Sequence, residues 1–457
     1  MMKQMAMLGA VCLVWGIFLP GRSLAADGAR DLQETAAAAH TIASPAAQKA
    51  AALPAESTAA DNRTVSNPLV TPSMQKVRLD WPLVPNAVRY QLVIMKDKSD
   101  QLSNVLKTNN YIFTNGYELD TSSLSKLAKQ DCYWKVRGLD YDGHPIGGFT
   151  QPVPITSGVL NTDAPEPTTQ FDQMAYAPLY PVYSWIPYLG SSSYEINIYR
   201  KSSISGRGTL VRTLWSQGSN YYDDAGYTQP GTYWWQVRAL SSTGAVLSNW
   251  SVPKEFKVTT PVRVAALGDS ITHGGGAVST PPGYLMYDWE SYSTVPIKNL
   301  GYSGNTVEDM NERFERDVLP FAPKILVIMG GVNNFRAGGS GWSIIHTLAV
   351  IRDKCYANGI IPVFATATPI NPWYIEKTKL VEQPTDDWID QQQTLNHWIM
   401  TQKYAVDVTP GLTDGNGFLR DGYTTDGLHP DMEGKKYIGE TISRYLQAKF
   451  PQIITGK

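Results

Sequence analysis

Toward its carboxyl end, the chain alternates short apolar runs with stretches of helical periodicity. The apolar runs cover residues 264–267, 297–300, 325–329, 360–365 and 404–408, and the helical patterns between them cover residues 306–318, 342–357 and 386–402. Short, wholly apolar strands joined by helices are typical of a parallel sheet buried on both faces. A last helix is predicted over about residues 431–449, because Ile438, Ile442 and Leu446 fall on one stripe and Asp431 is placed to cap its start. The sequence therefore predicts a three-layer α/β/α domain with a five-stranded parallel sheet.

Upstream of this region, two stretches repeat the same aromatic pattern about one hundred residues apart. The first contains Trp81, Tyr90 and Tyr133-Trp134-Lys135-Val136-Arg137, and the second contains Trp185, Tyr194 and Trp234-Trp235-Gln236-Val237-Arg238. Apolar and polar residues alternate within each stretch, as in the antiparallel strands of a two-sheet sandwich. Both stretches, residues 69–158 and 163–259, resemble fibronectin type III-like domains. Burial in two sandwich cores accounts better for the repeated tryptophans than a face that stacks on sugar rings does.

The amino terminus has the composition of an export signal. Lys3 is followed by an apolar segment over residues 5–19, and the motif Ser23-Leu24-Ala25 supplies small residues for cleavage. Residues 1–25 are therefore predicted to be a signal peptide, with an uncleaved anchor as the alternative. Residues 26–68 are rich in Ala, Ser and Thr and are predicted to be a disordered linker. The mature chain is expected to be periplasmic or secreted and to carry no transmembrane segment.

Charge and cysteine content argue against several classes of function. The formal net charge is −2, without a basic cluster, so nucleic acid is not an expected partner. Cys132 and Cys355 fall in different predicted domains, which argues against a disulfide framework. The His, Asp and Glu residues show no metal-ligand spacing, and Gly274-Gly275-Gly276 lacks the lysine of a phosphate-binding loop. Neither a metal nor another cofactor is expected.

Polar residues follow the predicted strands at the points where each strand ends. Ser270 follows the first strand, Gly304 the second and Asn333 the third, while Asp426 and His429 precede the last helix. Since ligands of an open parallel sheet bind beyond the carboxyl ends of its strands, these residues are expected to meet at one edge. A serine is a poor nucleophile unless a base lies within hydrogen-bond reach, and an aspartate can hold that base in the right tautomer. Donors from the Ser270 amide, the Gly304 amide and the Asn333 side chain would then face the developing oxyanion.

This ordered set of blocks resembles the SGNH hydrolase family, also called GDSL esterases and lipases. The resemblance covers residues 261–450 and does not extend to the predicted sandwiches. It implies a flavodoxin-like fold, a catalytic triad of Ser270, Asp426 and His429, and an oxyanion hole formed by Ser270, Gly304 and Asn333. Family members frequently have Asp after the third-block Asn, whereas this chain has Asn at position 334.

Other residues near these blocks are candidates for the substrate pocket. His273 lies close to the serine and is followed by three glycines, which predicts a mobile residue at the pocket rim. Phe335, Trp373 and Tyr374 are expected to shape an acyl or sugar pocket. Two further histidines, His346 and His397, fall inside predicted helices, where a structural role is expected.

The sequence thus favours an exported serine esterase that removes O-acetyl or other short acyl groups from a glycan. An acylated small molecule or polysaccharide is the expected partner, with glycan contact through the β-sandwiches. One alternative is a lysophospholipase or lipase-type esterase that acts on fatty esters. Another is a noncatalytic glycan-binding surface protein whose hydrolase-like domain is a scaffold.

Overall fold

The computed structural model describes residues 76–124, 132–202 and 208–455. The predicted signal peptide and linker, residues 1–25 and 26–68, lie outside the described residues. The described part of the chain begins with antiparallel β-structure and continues into an α/β region. No helix in the described ranges is long and apolar enough to cross a bilayer.

The first antiparallel region packs two sheets over one apolar core. Its strands are β1 (Lys76–Asp80), β2 (Arg89–Met95), β3 (Val105–Ile112), β4 (Gly116–Asp120), β5 (Tyr133–Leu139), β6 (Pro145–Ile146), β7 (Val153–Pro154) and β8 (Val159–Leu160). One sheet has the order β4-β1-β8, and the other has the order β3-β2-β5-β6, with β7 also paired to β5. Trp81 and Trp134 are buried between them, and the Trp81 ring lies edge-on to Tyr90 at 5.4 Å.

The second antiparallel region repeats this arrangement. Its strands are β9 (Glu166–Pro167), β10 (Val182–Ile186), β11 (Ser193–Lys201), β12 (Gly208–Ser216), β13 (Asn220–Tyr222), β14 (Gly231–Leu240) and β15 (Lys254–Val258). The sheets have the orders β13-β10-β9 and β12-β11-β14-β15. Trp185 and Trp235 are fully buried, so the prediction that the repeated tryptophans are core residues is confirmed in both regions.

The α/β region contains a five-stranded sheet in which every pairing is parallel. The strands are β16 (Val264–Gly268), β17 (Ile297–Gly301), β18 (Ile325–Met329), β19 (Ile361–Ala365) and β20 (Ala405–Val406). The order β17-β16-β18-β19-β20 reverses at β16, as in flavodoxin-like folds, whose ligands bind at this switch point. The predicted fold class of this region is confirmed.

Helices connect and cover the parallel sheet. They are α1 (Ser270–His273), α2 (Val307–Glu312), α3 (Phe314–Asp317), α4 (Val332–Arg336), α5 (Gly341–Ala357), α6 (Pro372–Thr378), α7 (Trp388–Met400), α8 (Met432–Lys449) and α9 (Pro451–Thr455). The helix predicted over residues 306–318 is divided into α2 and α3 at Arg313. Ile438, Ile442 and Leu446 of α8 are buried, which confirms the predicted apolar stripe of this helix. The apolar core of the α/β region is continuous with that of the second antiparallel region.

Candidate active site

Ser270 lies at the sharp turn between the buried strand β16 and the short helix α1. Asp269 caps this helix, because its carboxylate accepts a hydrogen bond of 2.9 Å from the Ile271 backbone N–H. Gly268 must lack a side chain, since a Cβ there would lie 2.3 Å from Thr272 Oγ1. Burial raises the pKa of Asp269 to about 6. The turn therefore fixes the serine at the carboxyl end of the strand where the sheet order reverses.

His429 and Asp426 reach Ser270 from the loop before α8. His429 Nε2 lies 2.8 Å from Ser270 Oγ, and His429 Nδ1 lies 2.8 Å from Asp426 Oδ2. The other Asp426 oxygen accepts the backbone N–H groups of Leu428 and His429 at 2.8 and 2.7 Å. Gly427 makes this turn with φ of 82°, where a Cβ would lie 2.3 Å from Asn371 O. The structure thus joins the three predicted catalytic residues in one hydrogen-bonded chain.

The protonation states of Asp426 and His429 follow from their contacts. Burial opposes ionisation of Asp426, but the His429 ring and the two backbone donors outweigh it and hold the pKa of Asp426 below its usual value. An ionised Asp426 accepts the Nδ1–H of His429, which leaves the Nε2 lone pair facing the serine hydroxyl. This is the tautomer that a general base requires.

The loops that carry Gly304 and Asn333 border the serine on two sides. They follow β17 and β18, the two strands that flank β16. Gly304 has φ of 85°, a conformation that favours glycine, and the Asn333 amide donates to the Asn305 carbonyl at 2.9 Å. The two predicted oxyanion residues are therefore linked to each other through Asn305.

Arg313 holds the loop that carries Gly304, and the sequence interpretation missed this residue. Its buried guanidinium donates to the carbonyls of Gly268 at 2.9 Å and Leu300 at 2.7 Å, and to Asn305 Oδ1 at 2.6 Å. It also pairs with Asp317 at 3.1 Å. One side chain therefore connects the end of β16, the end of β17 and the loop after Gly304. An arginine inside a predicted amphipathic helix was the only sign of this role in the sequence.

The departure from the family pattern at Asn334 has a local physical reason. Asn334 Oδ1 accepts the Val307 backbone N–H at 3.0 Å at the start of α2. Its amide nitrogen donates to Glu308 Oε2 at 2.6 Å. An aspartate could provide the acceptor, but its second oxygen would face the Glu308 carboxylate. The Asn334 side chain therefore suits this site because its oxygen accepts the Val307 N–H while its NH₂ group donates to the Glu308 carboxylate.

His273 does not lie at a mobile pocket rim, so this prediction is wrong. The side chain is 3% exposed, and its ring is parallel to that of Tyr302 at 6.3 Å. The Ser303 N–H donates to Nδ1 at 3.3 Å, which places the ring proton on Nε2, and Nε2 donates to the Tyr180 carbonyl at 2.7 Å. Burial lowers the pKa of His273 to about 4, so the ring is neutral. His273 instead connects the loop before Gly304 to the second antiparallel region.

The remaining pocket candidates divide into core and surface residues. Phe335 is fully buried and stacks on Trp388 with ring centroids 6.2 Å apart, so the prediction that it shapes a pocket is wrong. Trp373 is 65% exposed and lies edge-on to Tyr374 at 5.0 Å. Both belong to α6, and Asn371 before this helix donates its backbone N–H to Gly427 O at 2.7 Å. A pocket role for these two residues stays a prediction.

Two buried ionisable residues, Asp431 and Lys435, lie near the turn that carries Ser270. Asp431 does not cap α8 as predicted, because its carboxylate instead accepts the Ala277 N–H and the Thr425 hydroxyl. Burial raises its pKa to about 7. The fully buried Lys435 donates its ammonium to the Ile271 carbonyl, and burial lowers its pKa to about 8. These contacts connect α8 and the residue before it to Ile271 and Ala277, which follow Ser270, and to Thr425, which precedes Asp426.

Residues 266–437 match the family model of the GDSL-like lipase/acylhydrolase family. Among solved structures, similar chains include a GDSL-like lipase from Bacteroides thetaiotaomicron VPI-5482 at 21% identity, covering 41% of this chain and 88% of that chain with a TM-score of 0.32. A lipase/acylhydrolase from Enterococcus faecalis is 19% identical over 41% of this chain and 96% of that chain, with a TM-score of 0.34.

A catalytic mutant of an acetylxylan esterase from Geobacillus stearothermophilus is 18% identical over 41% of this chain and 95% of that chain, with a TM-score of 0.30. No curated protein sequence matches the chain. Residues 266–437 therefore form a GDSL-like lipase/acylhydrolase domain, and this domain supports a hydrolytic esterase.

Proposed function

We propose that the protein is an exported serine esterase that removes O-acetyl or other short acyl groups from a glycan. The observation that carries the catalytic part is the continuous hydrogen-bonded chain from Asp426 through His429 to Ser270, with both contacts at 2.8 Å. A serine hydroxyl on the Nε2 side of a histidine that is held by a carboxylate is the arrangement needed for nucleophilic attack on an ester.

The first half of the reaction forms an acyl-enzyme. Ser270 Oγ attacks the ester carbonyl carbon while His429 Nε2 takes the hydroxyl proton. The carbonyl oxygen becomes an oxyanion that faces the Ser270 N–H, the Gly304 N–H and the Asn333 amide. The Ser270 N–H is in the first turn of α1, where backbone donors lack partners within the helix. The carbon–oxygen bond to the alcohol then breaks as His429 returns its proton to the leaving oxygen.

The second half releases the acid and restores the serine. Water attacks the acyl carbon while His429 Nε2 accepts one of its protons, and the oxyanion forms again at the same donors. The bond to Ser270 Oγ breaks as the imidazolium gives the proton back to the serine. Asp426 stays ionised throughout and stabilises the imidazolium in both halves.

Two surface features support a glycan as the carrier of the acyl group. The exposed ring of Trp373 lies on α6, and Asn371, the residue just before this helix, donates its backbone N–H to Gly427 O between the two catalytic residues Asp426 and His429. On the second antiparallel region, Trp215 is 62% exposed, and Trp234 stacks on Tyr199 at 4.0 Å. Exposed flat rings with polar neighbours are suited to stacking on sugar rings.

The esterase test compares substrates of different acyl length. The purified chain should hydrolyse p-nitrophenyl acetate faster than p-nitrophenyl laurate and should release acetate from acetylated xylan. Ser270→Ala should abolish turnover, whereas the exposed control Ser343→Ala should retain it. Undiminished turnover in Ser270→Ala would sink the assignment. A preference for laurate would favour a lipase, and no turnover of any ester with retention on the glycan would favour a noncatalytic binding protein.

The glycan contact and export need separate tests. Ser270→Ala protein should bind acetylated xylan, and Trp215→Ala or Trp373→Ala should weaken that binding. Equal binding by both variants would contradict the contact. Export is tested by expressing the full chain in a bacterial host and sequencing the amino terminus of the protein outside the cytoplasm. Cleavage after Ala25 is expected, and an intact chain retained in the cytoplasm would contradict it.

A further inference from the structure

A short segment of the second antiparallel region, residues 177–180, contacts β17, which is an edge strand of the parallel sheet. The Leu179 N–H donates to the Asn299 carbonyl at 2.9 Å, and Lys298 Nζ donates to the Ala177 carbonyl at 2.6 Å. Leu179 and Lys298 are both fully buried. The segment therefore covers part of a sheet edge whose backbone groups would otherwise lack partners.

Tyr180, the last residue of this segment, reaches the loop over residues 302–305, which we call the oxyanion loop. Tyr180 is 2% exposed, and its ring lies edge-on to Tyr302 with ring centroids 4.6 Å apart. Its backbone carbonyl accepts a hydrogen bond from His273 Nε2 at 2.7 Å. The other nitrogen of the His273 ring accepts the Ser303 N–H at 3.3 Å. Tyr180 thus holds the start of the oxyanion loop, directly through Tyr302 and indirectly through His273.

The hydroxyl group of Tyr180 is connected to the other end of the oxyanion loop. It donates to Asp317 Oδ2 at 2.7 Å and accepts a hydrogen bond from Arg316 at 2.9 Å. The same oxygen of Asp317 accepts from Arg313 at 3.1 Å, and Arg313 donates to Asn305 Oδ1 at 2.6 Å. Because Tyr180, Asp317 and Arg313 are buried, these hydrogen bonds form in a low dielectric, where each is stronger than in water.

We propose that the second antiparallel region completes the active site, with Tyr180 as a positioning residue that fixes both ends of the oxyanion loop. This inference rests on the proposed esterase function, in which the Gly304 N–H faces the oxyanion. An oxyanion donor must lie about 3 Å from the charged oxygen, and a displacement of about 1 Å at a positioned group can cost about 10²-fold in rate. Contacts at Tyr302 and Asn305, on either side of Gly304, leave its N–H little freedom to move.

The test compares Tyr180→Phe and Tyr180→Ala with the same two changes at Tyr227, in the full chain. Tyr227 is a buried tyrosine of the same antiparallel region, and its hydroxyl donates to the buried carboxylate of Asp223 at 2.8 Å. That carboxylate also pairs with an arginine, Arg212, at 3.1 Å. The ring of Tyr227 packs on Tyr233 within the second antiparallel region. The control variants therefore lose the same kind of bond and ring packing at a place away from the oxyanion loop.

Two readouts separate positioning from general stability. With p-nitrophenyl acetate, kcat should fall by about 3–10-fold in Tyr180→Phe and by about 10–100-fold in Tyr180→Ala, while KM changes by less than about twofold, because oxyanion donors act in the transition state. Hydrogen exchange of the backbone amides of residues 302–305 should become faster in both variants. The Tyr227 variants should lose stability in urea denaturation as their Tyr180 counterparts do, but should keep kcat and the exchange of the oxyanion loop unchanged.

Unchanged kcat or unchanged loop exchange in Tyr180→Ala would overturn the positioning role and leave the esterase assignment intact. An equal fall of kcat in the Tyr227 variants would do the same, because it would trace the effect to lost stability alone. Absence of ester turnover in the unaltered chain would overturn both proposals. If Tyr180→Ala does not fold, Tyr180→Phe, which keeps the ring and removes only the hydroxyl, still decides the question against Tyr227→Phe.

Discussion

Replacing Arg313 should damage both the stability of the α/β region and the proposed oxyanion hole. The side chain is 4% exposed and makes four polar contacts, so its loss removes one partner from each of four buried groups at once. Arg313→Met keeps most of the apolar volume and removes every donor. Arg313→Lys keeps the charge but cannot make all four contacts, because an ammonium group lacks the planar, five-donor geometry of a guanidinium.

The size of the effect follows from the contacts that disappear. Arg313→Met removes one donor each from the carbonyls of Gly268 and Leu300 and from the amide oxygen of Asn305, although Gly268 O still accepts the Tyr302 N–H at 3.1 Å. It also removes one cation from the buried carboxylate of Asp317. Breaking a buried ion pair typically costs 3–5 kcal/mol, and hydrogen bonds to charged groups are worth about 1.5–3 kcal/mol each but do not add. The free energy of unfolding should therefore fall by about 3–5 kcal/mol in Arg313→Met and by about half as much in Arg313→Lys.

The same change should slow catalysis without preventing substrate binding. Asn305 follows Gly304 and accepts from both Arg313 and Asn333, so the loop that carries the oxyanion donors loses its fixed position. Complete loss of one oxyanion donor costs about 10²–10³ in kcat. A displaced donor should cost less, and kcat of Arg313→Met should fall by about 10–100-fold with little change in KM.

The assay combines urea denaturation with p-nitrophenyl acetate kinetics. Arg316→Met is the matched control, because Arg316 also pairs with Asp317, at 2.8 Å, but its side chain is 69% exposed. An exposed ion pair contributes about 1 kcal/mol or less, so this variant should be nearly neutral. If Arg313→Met lost less than about 1 kcal/mol and kept its kcat, or if both variants behaved alike, the reasoning would be refuted.

Three further predictions concern residues around the same site. Asn333→Ala should lower kcat by about 10²–10³ with little change in KM, and an unchanged kcat for p-nitrophenyl acetate would remove Asn333 from the oxyanion hole. Asn334→Asp should lower the free energy of unfolding by about 1 kcal/mol through repulsion from Glu308, and Glu308→Gln in the same chain should restore it; failure of this rescue in urea denaturation would contradict the repulsion. Burial raises the pKa of Asp431 in the folded protein to about 7, from an ordinary value of 3.8. Unfolding therefore releases a proton between these two pH values. The stability that this group contributes is present at low pH and is lost as the pH rises through 7. Relative to Asp431→Asn, the unaltered chain should therefore lose up to about 1.4 kcal/mol per pH unit between pH 5 and 7, and a constant difference in urea denaturation would contradict this.

The parallel sheet was predictable because its evidence is local. Each strand is a short run of apolar residues, and the stripe of α8 repeats at helical spacing, so periodicity alone identifies these elements. The flavodoxin-like order of the strands was implied only by the family resemblance, because periodicity does not say which strands are neighbours. The division of one predicted helix into α2 and α3 was not predictable, because it depends on Arg313 reaching carbonyl groups on two different strands.

The site residues were predictable only where a turn determines their positions. Ser270 and the Asp426–His429 turn lie on tight loops whose glycines appear in the sequence, and the structure brings these residues within hydrogen-bond distance. His273 and Phe335 were misjudged because their burial depends on partners far away in sequence. Tyr180 lies 93 residues before His273, and Trp388 covers Phe335 from another helix. The spacing of apolar residues along the sequence does not show which distant element packs against a given side chain.

The most direct measurement is covalent labelling of the unaltered chain with a fluorophosphonate, followed by peptide mass mapping. Attack by an activated serine on phosphorus should place a single adduct on Ser270, and His429→Ala should slow its formation by at least about 10²-fold, the typical contribution of a general base. An adduct on another residue, or the absence of any adduct while p-nitrophenyl acetate is still hydrolysed, would show that Ser270 is not the nucleophile.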